Sequence, residues 1–98
     1  KKERKMEVQF KNKGYEKFIS TGSTASINQS FAKKLRIIYH TFASAEELND
    51  ISSVRYLECH ELKGDRKGEY AVSVNGPWRV VFKIDGKKVY DVDIENYH

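Results

Sequence analysis

Two histidines far apart in the chain, His60 and His98, are the residues best suited to chemistry, because the unperturbed imidazole pKa of roughly 6.5 leaves both protonation states populated near neutrality. Paired with cations, two such groups suit metal-independent RNA scission. One takes the proton of a ribose 2′-hydroxyl, the other protonates the departing 5′-oxygen, and positive side chains stabilise the charge that builds on phosphorus. The segment Cys59 to Gly68 surrounds His60 with Lys63, Arg66 and Lys67, and its two glycines allow a close approach to a phosphate backbone. It has no Walker-type spacing. Two readings stand side by side for it: a phosphate-binding surface, or a solvated hairpin with ordinary surface charge. Arg79 offers a planar guanidinium able to meet two phosphate oxygens at once. A catalytic His98 requires that the last strand anchor the C-terminus, and its neighbour Tyr97 either caps the core or meets a base.

Other reactive residue types read as structural. His40 falls near the apolar stripe of a helix. Asp91, Asp93 and Glu95 alternate along a strand as a solvated face does, and the three histidines lack zinc-ligand spacing, so no metal site is expected. Cys59 reads as a small hydrophobe on the face opposite His60. As the single cysteine, it rules out an intramolecular disulfide and fits a reducing compartment.

The elements that must position these residues follow from periodicity. Met6, Val8 and Phe10 share one face of a short strand, and Tyr15, Phe18 and Ile19 mark a first helix over 15–21 that stops at Gly22. A polar linker over 22–26 leads to a longer helix that Asn28 can cap, with Phe31, Leu35, Ile38 and Phe42 as its stripe. Ser44 and Glu47 have capping-box spacing for one more turn. From Val54 the period changes to two. Asn75-Gly76 and Asp85-Gly86 read as hairpin turns, and Trp78, Val80, Phe82 and Ile84 alternate with Arg79, Val81 and Lys83. If the first set faces the helices, the second makes the opposite face basic. The predicted architecture is α+β: a strand, two helices, then a meander of about four strands, giving an antiparallel sheet with two N-terminal helices packed on one face.

Composition agrees. A chain of 98 residues holds one domain and one modest core. It carries 18 Lys and Arg against 14 Asp and Glu, a formal charge of +4 that favours polyanionic partners without demanding them. No apolar run is long enough to span a membrane, and the charged start lacks the apolar stretch of a signal peptide, so the expected location is cytoplasmic and no membrane partner is foreseen. Residues 1–5 read as a basic N-terminal extension ahead of a domain over 6–98.

Several segments, taken in order, resemble the HigB-like (plasmid-maintenance killer) toxins of the RelE/ParE superfamily. MEVQFKNKGYEK, from Met6 to Lys17, is similar to the family's opening strand and its Lys-Gly helix start. HELKGDRKG, from His60 to Gly68, resembles its His-x-Leu-Lys-Gly signature; Tyr70 to Phe82 is similar to its central hairpin, and Glu95 to His98 to its acidic-Tyr-His ending. The resemblance implies a microbial-RNase-like fold and cleavage of messenger RNA in the A site of the 70S ribosome without metal or cofactor. It also implies a HigA-like helix-turn-helix antitoxin. It points to His60, Tyr97 and His98 as the catalytic set, with Lys63 and Arg79 on the substrate; the basic loop adds Arg66 to the substrate-binding group. Asn96 departs from the acid that relatives often carry before Tyr-His, and Pro77 departs from a hydrogen-bonding residue found before the tryptophan in some. Two other outcomes accompany this reading: a non-enzymatic ParE-like inhibitor of DNA gyrase, and an attenuated domain that only binds its antitoxin.

Overall fold

A computed structural model of the chain describes residues 5–96. Its order is β1 (Glu7–Phe10), α1 (Lys13–Thr21), α2 (Ala32–Ser44), α3 (Leu48–Ser52), β2 (His60–Glu61), β3 (Tyr70–Asn75), β4 (Trp78–Asp85) and β5 (Lys88–Asn96), with short 3-10 turns between. The α+β arrangement read from the sequence is present. The strands lie in the spatial order β1-β5-β4-β3-β2. β2 to β5 form the antiparallel meander, and β1 adds to β5 in parallel, so one edge of an otherwise antiparallel sheet has the opposite sense. The parallel pairing is possible because both helices lie between β1 and β5 and supply the long return path that such a pair requires.

Capping explains the helix limits. α1 begins at Lys13, two residues before the sequence-based boundary, capped by Asn12, whose Oδ1 accepts from the Tyr15 amide at 2.8 Å, and Gly22 ends it in the left-handed conformation. Asn28 caps the 3-10 turn Gln29–Phe31 that leads into α2, accepting from Ser30 N at 2.9 Å. The turn after α2 is capped by a pair shifted three residues from Ser44 and Glu47: the Asp50 carboxylate accepts from the amides of Glu46 and Glu47. Ser44 instead bonds back to the His40 carbonyl at 2.8 Å, as serine does inside a helix.

The core lies between α1, α2 and one face of the sheet. Tyr15, Phe18, Leu35, Ile38 and Phe42 from the helices meet Val72, Val80, Phe82, Val89 and Val92 from the strands, with Met6 beside them. The Phe42 and Phe82 rings are 4.6 Å apart between centroids. The hydroxyl of buried Tyr15 donates to the Leu35 carbonyl at 2.6 Å, joining α1 to α2, and burial raises its pKa. Lys5, set with the basic extension on sequence grounds, donates its amide to Ala43 O at 2.8 Å and its ammonium reaches Glu46 at 3.0 Å.

Three local features differ from simple alternation. Between Val54 and Cys59 the chain makes a 3-10 turn, Arg55–Leu57, not a strand, and β2 is only two residues long. Both hairpins turn on a glycine at the first central position: Asn75 pairs with Trp78 across Gly76-Pro77, and Asp85 with Lys88 across Gly86-Lys87. The positive φ such turns need at that position is held by Gly76 and Gly86. In β5, Asp91 adopts φ 54° and makes a bulge, so that Asp91 and Val92 together oppose Phe82. The extra residue puts both Val89 and Val92 in the core, which strict alternation forbids.

Candidate active site

The strand register gathers the predicted residues. His60 pairs with Ala71, Ala71 with Val81, and Val81 with Asp93, while Arg79 pairs with Glu95. Directly paired residues share a face, so these positions lie on the side away from the helices, the open face read from the alternation of β4. A cleft of about 370 Å³ opens there, and His60, Lys63, Arg66 and Arg79 all line it together with Glu61, Leu62, Val81 and Glu95. Four residues spread over 20 positions of sequence thus converge. Tyr97 and His98, the other two expected members, lie outside the described residues.

The His60 ring is fixed at both nitrogens. Nδ1 is 3.2 Å from the Glu58 carbonyl and Nε2 is 3.3 Å from Arg79 Nη1. A carbonyl only accepts and a guanidinium only donates, so one tautomer satisfies both contacts: hydrogen on Nδ1, lone pair on Nε2 directed into the cleft. Glu58 reaches the ring because its backbone turns left-handed, φ 52°, an uncommon state for glutamate, and this reverses the chain two residues before the histidine. Nothing in the sequence marks that position.

Lys63 is exposed and enters no ion pair among the described residues. Arg66 differs. It lies in the cleft wall, but its Nη1 and Nη2 each donate at 2.8 Å to a different oxygen of Glu95, and Nη2 and Nε also hold Glu69 at 2.7 and 3.2 Å. The hydrogen bonds from Arg66 hold the Glu95 carboxyl below the usual carboxylate range, and both carboxylates raise the arginine's own pKa. Glu95 was read as part of a solvated acidic face; it lies half-buried in the cleft. The two other acids also have partners, Asp93 accepting from Asn12 Nδ2 at 3.2 Å and Asp91 meeting Lys83 at 3.5 Å. Asn96, the departure noted in the sequence, pairs with Trp78 on the register that faces the helices.

The remaining reactive groups stay apart from the cleft. Cys59 is half-buried against the core, and burial pushes its thiol up to about 11, which leaves little thiolate. His40, read as structural, is exposed on α2, with its ring on the edge of Tyr39. Among the described residues no group of three His, Cys, Asp or Glu is placed to hold a metal ion, and no helix is long and apolar enough to cross a membrane.

Comparison with known proteins decides the family. The family model for HigB-like toxins, the RelE-like toxins of type II toxin-antitoxin systems, matches residues 8–98. The chain belongs to the HigB-like toxins. Endoribonuclease HigB of Proteus vulgaris is 27% identical over 89 residues, which span 91% of this chain and 96% of that protein. Among solved structures, the YoeB-YefM toxin-antitoxin complex of Staphylococcus aureus contains a chain with TM-score 0.59 and 16% identity, covering 95% of this chain and 97% of its own. The YoeB/ParE toxin of Agrobacterium tumefaciens has TM-score 0.58 at 13% identity, covering 95% and 100%. YafQ of E. coli has TM-score 0.55 at 13% identity, covering 93% and 92%. At such identities the structures speak to fold alone, and the fold is that of RelE-type toxins.

Proposed function

We propose that this HigB-like toxin is an endoribonuclease that cuts messenger RNA in the ribosomal A site by acid-base catalysis on side chains. The observation that carries the reading is His60 in the cleft, its Nε2 accepting from Arg79 at 3.3 Å, with Lys63 on the same rim. The endoribonuclease name of its Proteus vulgaris relative supports the reaction class.

In this mechanism His60 Nε2 takes the proton from a ribose 2′-hydroxyl, and the 2′-oxygen attacks the adjacent phosphorus. The bond to the 5′-oxygen breaks, leaving a 2′,3′-cyclic phosphate on one fragment and a 5′-hydroxyl on the other. His98 supplies the proton to that oxygen. Arg79 exchanges its contact with Nε2 for the phosphate as the imidazole becomes charged, and Lys63 neutralises the second oxygen. Leu62 and Val81 give the cleft an apolar wall on which a ribose or base rests, and Tyr97 orients that base. Action on translating ribosomes places the protein in the cytoplasm. Its neutralising partner is a HigA-like antitoxin with a helix-turn-helix domain, in line with the complex in which the Staphylococcus aureus neighbour occurs.

The experiment is cleavage in a reconstituted translation system, with 5′ ends mapped with and without programmed ribosomes. Cuts inside codons that need ribosomes, and that disappear in folded His60→Ala and His98→Ala variants, are the expected result. Cleavage unchanged in both variants removes the mechanism; growth arrest with intact messenger RNA and damaged DNA transfers the chain to gyrase inhibition.

A further inference from the structure

The cleft proposed to receive RNA is lined by two carboxylates, and one of them, Glu95, is in direct contact with one of its arginines. The contact is fork on fork, both nitrogens of Arg66 on both oxygens of Glu95, and the same guanidinium is shared with Glu69. Arg66 belongs to the loop over 62–69 that carries Lys63. That loop is closed on itself by Leu62 N to Glu69 O at 2.8 Å, Glu69 N to Arg66 O at 2.9 Å, and Gly68 N to Glu61 Oε2 at 2.9 Å. It hangs from the two-residue strand β2 at the sheet edge, and β3 and β4 lie between β2 and β5. Arg66 therefore ties the loop across the open face to the strand that leads to the C-terminus. Those bonds hold the loop's own shape, whereas its position against the rest of the sheet depends on so short a strand and on Arg66.

We propose that Glu95 is a positioning residue for the cleavage reaction: through Arg66 it braces the Lys63 loop against β5, so that the cation on the loop and the groups on β4 and β5 keep one spacing. The inference rests on the reading of the cleft given under Proposed function. It assigns Arg66 to the brace and leaves Lys63 and Arg79 as the phosphate cations, because a guanidinium shared by two carboxylates presents no net positive charge to a phosphate.

The charged and titratable groups around Glu95 are Arg66 and Glu69 of the loop, Arg79 of β4, Lys11 beyond β1, Asp93 with the Lys83–Asp91 pair beside it, and, across the cleft, His60 and Glu61 of β2 with Lys63. Because the carboxyl is held below its ordinary range, the brace is complete at neutral pH and is lost only as pH falls through that lowered value.

The test uses Glu95→Gln and Arg66→Lys in the full chain, with amide hydrogen exchange and steady-state cleavage on programmed ribosomes as readouts. The amides of Leu62, Lys67, Gly68 and Glu69 exchange roughly tenfold faster in either variant, while those of Val80 and Phe82 are unchanged. kcat falls roughly 10- to 100-fold with KM within about twofold, since a misplaced cation harms the transition state more than binding. The double variant is no worse than the more impaired single one. Unchanged loop exchange overturns the brace. So does a Glu95→Gln protein with lower KM and unaltered kcat, which would mean that the carboxylate merely masks a phosphate-binding arginine. Hydrogen exchange reports on the brace without any activity, whereas an unmodified protein that cuts no RNA removes the reading of the cleft itself.

Discussion

Lys63 and Arg66 are three residues apart on one loop and face the same cleft, yet their electrostatic situations are opposite. Lys63 has no ionic partner among the described residues, and Arg66 has two. Single-stranded RNA bound by the folded protein should therefore lose affinity differently in the two alanine variants. Lys63→Ala lowers the slope of log affinity against log salt by about 0.7, the value for one phosphate contact on a single strand, and Arg66→Ala leaves that slope nearly as it was. Fluorescence titration at several salt concentrations reads both. Cys59 gives a second residue-scale prediction. With its thiol raised from 9.0 to about 11 by burial, iodoacetamide at pH 8 alkylates it roughly 100-fold more slowly than a free cysteine, and the rate recovers in denaturant. A rate equal to the free thiol in the native protein contradicts that burial.

Among the elements, α1 depends on a glycine in an unexpected place. Gly14 lies in the first turn, where alanine ordinarily stabilises a helix, but a Cβ there would meet Ser26 O at 2.6 Å and Ser26 Cβ at 2.8 Å. Backbone cannot yield as a flexible side chain does, so Gly14→Ala costs about 1 to 3 kcal/mol in urea unfolding in place of the usual gain. The Lys-Gly helix start quoted from the sequence thus has a physical cause: the linker after α1 folds back over its first turn. In β5, the bulge needs a left-handed residue at Asp91, and its exposed pair with Lys83 contributes little. Asp91→Gly is expected to hold or raise the melting temperature, whereas Asp91→Val, β-branched at positive φ, lowers it by an amount set by about 1 to 2 kcal/mol of backbone strain.

At the scale of the whole molecule, one apolar layer joins the helices to the sheet, and Phe42 is fully buried at its centre against Phe82. Truncation to alanine costs about 3 to 5 kcal/mol by thermal or urea unfolding, a large part of the stability of a domain this small. The layer was legible beforehand because burial imposes a period: 3.6 for Phe31, Leu35, Ile38 and Phe42, and 2 for Val80, Phe82 and Ile84, so both helices, the central hairpin and the cations of the open face followed from spacing alone, whereas the acids that share that face and make its charge mixed did not. Residue chemistry likewise marked His60, Lys63 and Arg79 as a set. Spacing carries no record of contacts between distant segments. The parallel docking of β1 on β5 depends on which edge remains open once the meander has formed, and the bulge at Asp91 on fitting Val89 and Val92 into one core. Glu95 looked solvated because alternation reports which side a residue faces, not what stands opposite; only the folded sheet brings Arg66 across two strands to meet it. The sequence by itself determined the two layers and the histidine and cations of the cleft, since periodic burial and side-chain type are local properties. Tertiary structure decided the partners, because long-range register fixes which charge lies within reach of which.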